Sequence, residues 1–160
     1  MSSISDILNK SKYIDILNIA GQVGENMGIN TYVVGGYIRD AILNRKLKDI
    51  DIMVEDNVFE FSENLAQKLK VKSIVKFEKF NTVKIPYNKC EIEIANARSE
   101  SYDSKSRKPK SVEITTINND LIRRDFSINA LASSINPDNF GELIDLFDGM
   151  KNLNNGIINT

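Results

Sequence analysis

No histidine occurs anywhere in the 160 residues, and cysteine occurs once, as Cys90. The first absence removes Ser-His-Asp and Cys-His catalysis and every histidine-ligated zinc site. The second rules out an internal disulfide framework and suits a reducing compartment. No apolar run approaches the length needed to span a bilayer. Near the start, Asp6, Lys10, Lys12 and Asp15 interrupt Ile4, Ile7 and Leu8, so the apolar core of a secretory signal is missing. A cytoplasmic protein with no membrane association is expected. The formal net charge of −1 leaves no basic excess with which this chain alone would grip nucleic acid strongly. What is left for chemistry is carboxylates, lysines, arginines and hydroxyls, which suit hard, oxygen-ligated metals and phosphates.

Hydrophobic content of 41% and charged content of 27% are those of an ordinary globular domain, and the length fits one such unit. Apolar spacing over residues 4 to 27 predicts helix, ending near Gly28 as a C-cap. Thr31–Val34 reads as a short strand, Gly35-Gly36 as a break, and Tyr37–Leu43 as a helix of about two turns. From Asp49 to Val54 the chain alternates, with Asp49, Asp51 and Met53 on one face and Ile50, Ile52 and Val54 on the other. Phe59–Leu69 follows as an amphipathic helix. Strands are expected at Ser73–Phe77, Thr82–Pro86 and Cys90–Ala97, the last two joined by a turn at Asn88-Lys89. The polar, basic stretch from Arg98 to Lys110 reads as an exposed, mobile loop. Asn118–Ser133 reads as helix, with a break near Asp125, and Asp148-Gly149 as a turn. No repeat or low-complexity tract is present. This order of elements indicates a mixed sheet with helices packed on it.

Four groups of residues carry chemical interest. Asp49 and Asp51 stand at i and i+2 of a strand, so both side chains leave one face about 7 Å apart. That suits two carboxylates converging on divalent ions roughly 3.5–4 Å apart; an isolated pair of this kind also marks a strand with one wet face. "CEIEI", from Cys90, repeats the pattern with Glu91 and Glu93, one of which can supply a third ligand if the strands are neighbours; a solvated strand face is the plainer reading, and the preferred one for Glu91. Gly35-Gly36 opens a helix after a strand, where freed amides meet phosphate oxygens and a side chain at Gly36 would block close approach. Arg39, one turn on, reaches the same anion, or else pairs with Asp40. Arg123-Arg124-Asp125 reads as a cluster for a phosphate and a ribose hydroxyl, or as an ordinary helix end with a surface ion pair. Phe126, Ile128, Ala130 and Leu131 are expected to dock into the core behind it. The set as a whole describes a site for a nucleoside triphosphate with magnesium.

"VVGGYIRDAILNRKLKDIDIMV", with its GG, RD and DxD at this spacing, resembles the signature of the bacterial-type CCA-adding enzymes and bacterial poly(A) polymerases. "EIEIANARSESY" resembles their third-carboxylate strand, with Glu93 standing five residues before Arg98. "RRDFSINALA" is similar to their ribose-recognising motif and "LIDLFDGMKNLNNGII" to the segment closing their head domain, so that the likeness covers nearly all of residues 31 to 158. The resemblance implies an α+β nucleotidyltransferase-superfamily head over residues 1–148, a small mixed sheet flanked by helices, with residues 149–160 starting a neck. It implies Asp49, Asp51 and Glu93 as catalytic ligands of two Mg²⁺ ions. Gly35, Gly36, Arg39, Arg123, Arg124 and Asp125 would hold the nucleotide, supported by Asn129. The partners it implies are CTP and ATP and the tRNA 3′ end, the reaction being CCA addition; addition of poly(A), of CC alone or of A alone is the alternative. Members of this family continue into helical neck, body and tail domains, where base choice and most of the RNA grip lie. This chain stops at Thr160, so it is expected to be a truncated or excised head, or half of a split enzyme whose other chain supplies the rest. A nucleotide-binding module without turnover of its own is the competing expectation from another class.

Overall fold

The computed structural model describes residues 3–102 and 109–160. Helix α1 (Ile4–Asn9) and helix α2 (Ile14–Met27) lead into strand β1 (Thr31–Val34). Helix α3 (Gly36–Ile42), strand β2 (Ile50–Val54) and helix α4 (Val58–Lys68) follow, then strands β3 (Val75–Phe77), β4 (Thr82–Tyr87) and β5 (Cys90–Asn96). Strands β6 (Arg98–Tyr102) and β7 (Pro109–Ile114) precede helix α5 (Ile117–Ile122). Strand β8 (Leu131–Ser134), strand β9 (Leu143–Asp145) and helix α6 (Gly149–Asn154) complete the chain. The main sheet runs β3-β4-β5-β2-β1-β8-β9, while β6 and β7 pair separately. All neighbours are antiparallel except β2 and β5, whose parallel register sets Asp51 opposite Glu93.

The alternation of β2 and β5 sorts the two faces of the sheet. Ile50, Ile52, Val54, Ile92 and Ile94 pack with Val83 and Ile85 against Leu17 and Ala20 of α2 and Phe61 and Leu65 of α4. The opposite face carries Asp51, Met53 and Glu93. Helix α5 covers only one end of it, where Ile117 and Leu121 meet Tyr32, Val34, Met53 and Ala132. Asp51 and Glu93 lie beyond that cover. The acids therefore sit at the open end of a face whose other end is core.

Several expectations need correction. The helix read over residues 4 to 27 is two helices, because Ser11 breaks it: its hydroxyl accepts from the Tyr13 N–H at 3.1 Å and bonds the Tyr37 hydroxyl at 2.7 Å. The C-cap at Gly28 is found, with φ of 67°, the left-handed conformation glycine adopts without cost. Asn118–Ser133 is not one helix. Helix α5 ends at Ile122, a 3₁₀ turn spans Ser127–Asn129, and Leu131–Ser134 is a strand between β1 and β9. Pairing on both edges overrides the weak strand preference of Ala132, Ser133 and Ser134. Strand β9 is an outcome of the same pairing. The mobile loop expected over Arg98–Lys110 is also overturned at its ends, since β6 and β7 form a hairpin. Residues 103–108 of that stretch lie outside the described residues. Phe126 is 39% exposed and does not dock, whereas Ala130 and Leu131 are buried.

Candidate nucleotide and metal site

Between β1 and α3 the chain turns through Gly35, with φ 59° and ψ −125°, a region closed to residues with a Cβ. The turn is locked by the Gly35 N–H, which donates to the Leu131 carbonyl at 2.9 Å. A Cβ here would also stand 3.0 Å from Nη1 of Arg124. Gly36 differs. Its φ is ordinary, and a Cβ would meet nothing nearer than the end of the Arg39 side chain at 3.5 Å. The fold thus requires glycine at 35 and not at 36, where the missing side chain leaves the amide open to a ligand. Gly35→Ala should accordingly lower the melting temperature. Gly36→Ala should leave it unchanged or slightly higher. Thermal melts of both variants check this; equal behaviour of the two would refute it.

Asp51 is the wall shared by two adjoining cavities. One, of about 220 Å³, is lined by Gly35, Gly36, Asp51, Glu93 and Arg124 among others. The second, of about 300 Å³, is lined by Gly36, Arg39, Asp40, Asp49 and Asp51 together with Lys46 and Lys48. Asp49 lies just before β2, where its Oδ1 accepts the Glu91 N–H at 3.0 Å. Glu93 faces Lys84 of β4 at 3.5 Å, and Lys84 reaches Glu91 at 3.0 Å. Burial pushes the Asp51 carboxyl up to about 6, the facing charge of Glu93 adds to this, and the Arg124 guanidinium partly offsets it. Carboxylate oxygens are the donors that a hard divalent cation takes. Among the described residues no three acids are drawn around one point. Asp51 and Glu93 share one cavity, and Asp49 enters the adjoining one.

The cationic side is built from two arginines and an asparagine. Arg39 pairs with Asp40, Nε to Oδ1 at 2.9 Å, which was the plainer expectation for it; its Nη1 also donates to Oδ1 of Asn129 at 2.8 Å. Arg124 donates from Nη1 to the Asn129 carbonyl at 3.3 Å. Asn129 therefore bridges the two arginines that border the cavities. Arg123 and Asp125 are not brought there. Arg123 turns toward the hairpin, donating from Nε to the Arg98 carbonyl at 3.1 Å and pairing with Glu100 at 3.5 Å. Asp125 is exposed.

Two contributors escaped the sequence reading. Asp120 is buried beneath the two arginines, and Lys84 faces Glu93. The spacing D-x-x-R-R, with partners three and four residues away on one helix face, was a legible signal for the first. Lys84 could be found only through strand register, which pairs it with Glu93. A larger cavity, about 580 Å³, is lined by Lys10, Lys12, Arg45 and Lys46 along with Ile7, Ile42 and Met150.

The family model described as the Poly A polymerase head domain matches residues 31–159. An A-adding tRNA nucleotidyltransferase of Aquifex aeolicus (strain VF5) is 39% identical over 130 residues, which are 81% of this chain and 16% of that protein. Among solved structures, "The structure of CCA-adding enzyme apo form II" superposes with a TM-score of 0.89 at 38% identity, covering 99% of this chain and 38% of that one. A tRNA nucleotidyltransferase complexed with a primer tRNA and an incoming ATP analog superposes at 0.77, with 35% identity over 88% of this chain and 38% of the other. The chain spans well under half the length of each of these proteins.

Proposed function

The chain belongs to the Poly A polymerase head-domain family, and we propose that it carries the catalytic head of an enzyme adding nucleotides from CTP and ATP to the tRNA 3′ end. The observation that carries this reading is the register of β2 against β5. It sets Asp51 opposite Glu93 in one cavity with the Gly35-Gly36 turn and Arg124. Relatives with this fold are named for such additions, and one similar structure holds both a primer tRNA and an ATP analog. We take residues 1–148 as the head and place the protein in the cytoplasm; among the described residues no helix is long and apolar enough to cross a membrane.

Each residue has a task in the transfer. The Gly36 amide and the guanidinium of Arg39 hold the triphosphate, with Asp40 and Asn129 fixing the plane of Arg39. Arg124 faces the adjoining cavity and balances charge on the phosphates and sugar. Asp49, Asp51 and Glu93 would hold two Mg²⁺ ions, which when bound supply Lewis acidity toward the attacking hydroxyl and the leaving pyrophosphate. The 3′-hydroxyl of the RNA gives up its proton to solvent as its oxygen forms a bond to the α-phosphorus, the bond from that phosphorus to the bridging oxygen breaks, and pyrophosphate departs. No histidine is needed in this scheme. Every contact proposed here is to phosphate or sugar, so base preference should be slight.

Calorimetric titration of ATP and CTP, with and without Mg²⁺, tests this directly. Both nucleotides should bind only with the metal and with affinities alike within about 3-fold, well under 1 kcal/mol apart. Pyrophosphate release with tRNA lacking its 3′ end then tests the transfer. Absence of metal-dependent binding for every nucleoside triphosphate would overturn the reading.

A further inference from the structure

We propose that Asp120, a carboxylate of α5 that lines neither cavity, is a positioning residue that aims Arg124 at the bound nucleotide. This rests on the reading of the cavity between Gly35, Asp51, Glu93 and Arg124 as a nucleotide site. Asp120 is fully buried, a position an aspartate occupies only with its oxygens satisfied and its charge answered. Its two oxygens divide the work. Oδ1 accepts from Nη2 and Nε of Arg123 at 2.8 and 3.3 Å and from the Arg98 backbone N–H at 3.1 Å. Oδ2 accepts from Nη2 and Nε of Arg124 at 3.0 and 3.2 Å.

The consequence for Arg124 is geometric. A two-point clamp through Nε and Nη2 fixes the plane of the guanidinium and removes the freedom of a long side chain. Nη1 is then left on the far edge, where it meets the Asn129 carbonyl and stands over the glycine turn, 3.0 Å from where a Cβ of residue 35 would be. The charges are apportioned as well. Arg123 is answered by Asp120 and by Glu100, so the two guanidiniums do not compete equally for the buried carboxylate. Arg124 keeps positive charge to present to the cavity, next to Asp51. Through the Arg98 N–H, the same carboxylate ties the base of the β6–β7 hairpin to this arrangement.

The test compares Asp120→Asn, Asp120→Glu, Arg124→Ala and the Asp120→Asn/Arg124→Ala double variant in the full chain. Arginine side-chain ¹H–¹⁵N spectra should show a dispersed Arg124 Nε–H signal, identified by its loss in Arg124→Ala. That signal should move to the position of free arginine in Asp120→Asn and stay dispersed in Asp120→Glu, which keeps the charge if Asp120→Asn folds poorly. ATP affinity with Mg²⁺ should fall about 10- to 100-fold in both Asp120→Asn and Arg124→Ala, with the double variant no weaker than either. A residue that merely stabilised the fold would lower the melting temperature and give additive losses. An Arg124 signal unmoved in Asp120→Asn, or additive losses in the double variant, overturns the proposal. If the unsubstituted chain binds no nucleotide, the functional reading fails separately, and the arginine spectra alone decide whether Asp120 positions Arg124.

Discussion

Asp51→Asn is expected to cut nucleotide transfer by at least about 10³-fold while making the metal-free chain more resistant to heat. The two effects share one cause. Burial and the facing Glu93 lift the Asp51 carboxyl from its ordinary 3.8 to about 6. A carboxyl raised in the folded state contributes stability that is complete below the unfolded value and is lost as pH rises through the folded one. At pH 7.5 the ionised group therefore costs the metal-free chain about 1–2 kcal/mol, after allowance for its partial contact with solvent. An asparagine of the same size removes that cost, and a domain of this length should melt roughly 3–6 °C higher. Mg²⁺ should raise the melting temperature of the unsubstituted chain at pH 7.5, do so less at pH 5, and leave the Asn variant unmoved. Differential scanning calorimetry with and without metal settles the matter. A variant less stable than its parent at pH 7.5, or one still stabilised by Mg²⁺, would contradict the assignment of Asp51.

Gly21→Ala should be among the most damaging single-methyl additions to the fold. Helix propensity alone favours alanine by about 1 kcal/mol at an interior helical position. The packing argues the other way: a Cβ on Gly21 would fall 1.8 Å from the Ile135 carbonyl oxygen, a backbone atom that cannot rotate aside. Gly24, on the same face of α2, has Thr31 Oγ1 at 2.1 Å from its own virtual Cβ. The helix thus lies directly on the backbone that follows β8 and on the start of β1. Moving it away opens the contact of Leu17 and Ala20 with the sheet. A net loss of about 2–4 kcal/mol is expected, read as a drop in the chemical-denaturation midpoint with an unchanged slope. A variant as stable as its parent would show that α2 is free to shift.

Period-two and helical patterns were legible where one face of an element is apolar and the other polar. Strands β2 and β5, and helix α4, were read correctly from such patterns. Leu131–Ser134 had no such contrast: both its faces are covered, and its composition suits helix as well as strand. Arg98–Tyr102 failed for a related reason, since its polar residues give no apolar stripe even though its backbone pairs in a hairpin. The site shows the same division. The two aspartates, the glycines and the arginine pair announce themselves by spacing, and Asp120 by its distance from that pair, whereas the strand partner Lys84 looks like any surface charge in the linear text.

By itself, the sequence determined which chemistry this protein commands. It holds oxygen and guanidinium groups, no imidazole and one thiol, with alternating acids on two strands and glycines where a strand meets a helix. Those are local matters, set by residue type and by the repeat of the backbone. Only the tertiary structure decided that β2 lies parallel to β5 with Asp51 abreast of Glu93, that Arg124 turns inward while Arg123 turns away, and that Gly21 must stay bare. Such outcomes depend on which distant segments share a face and a buried charge, and no local pattern encodes the partner.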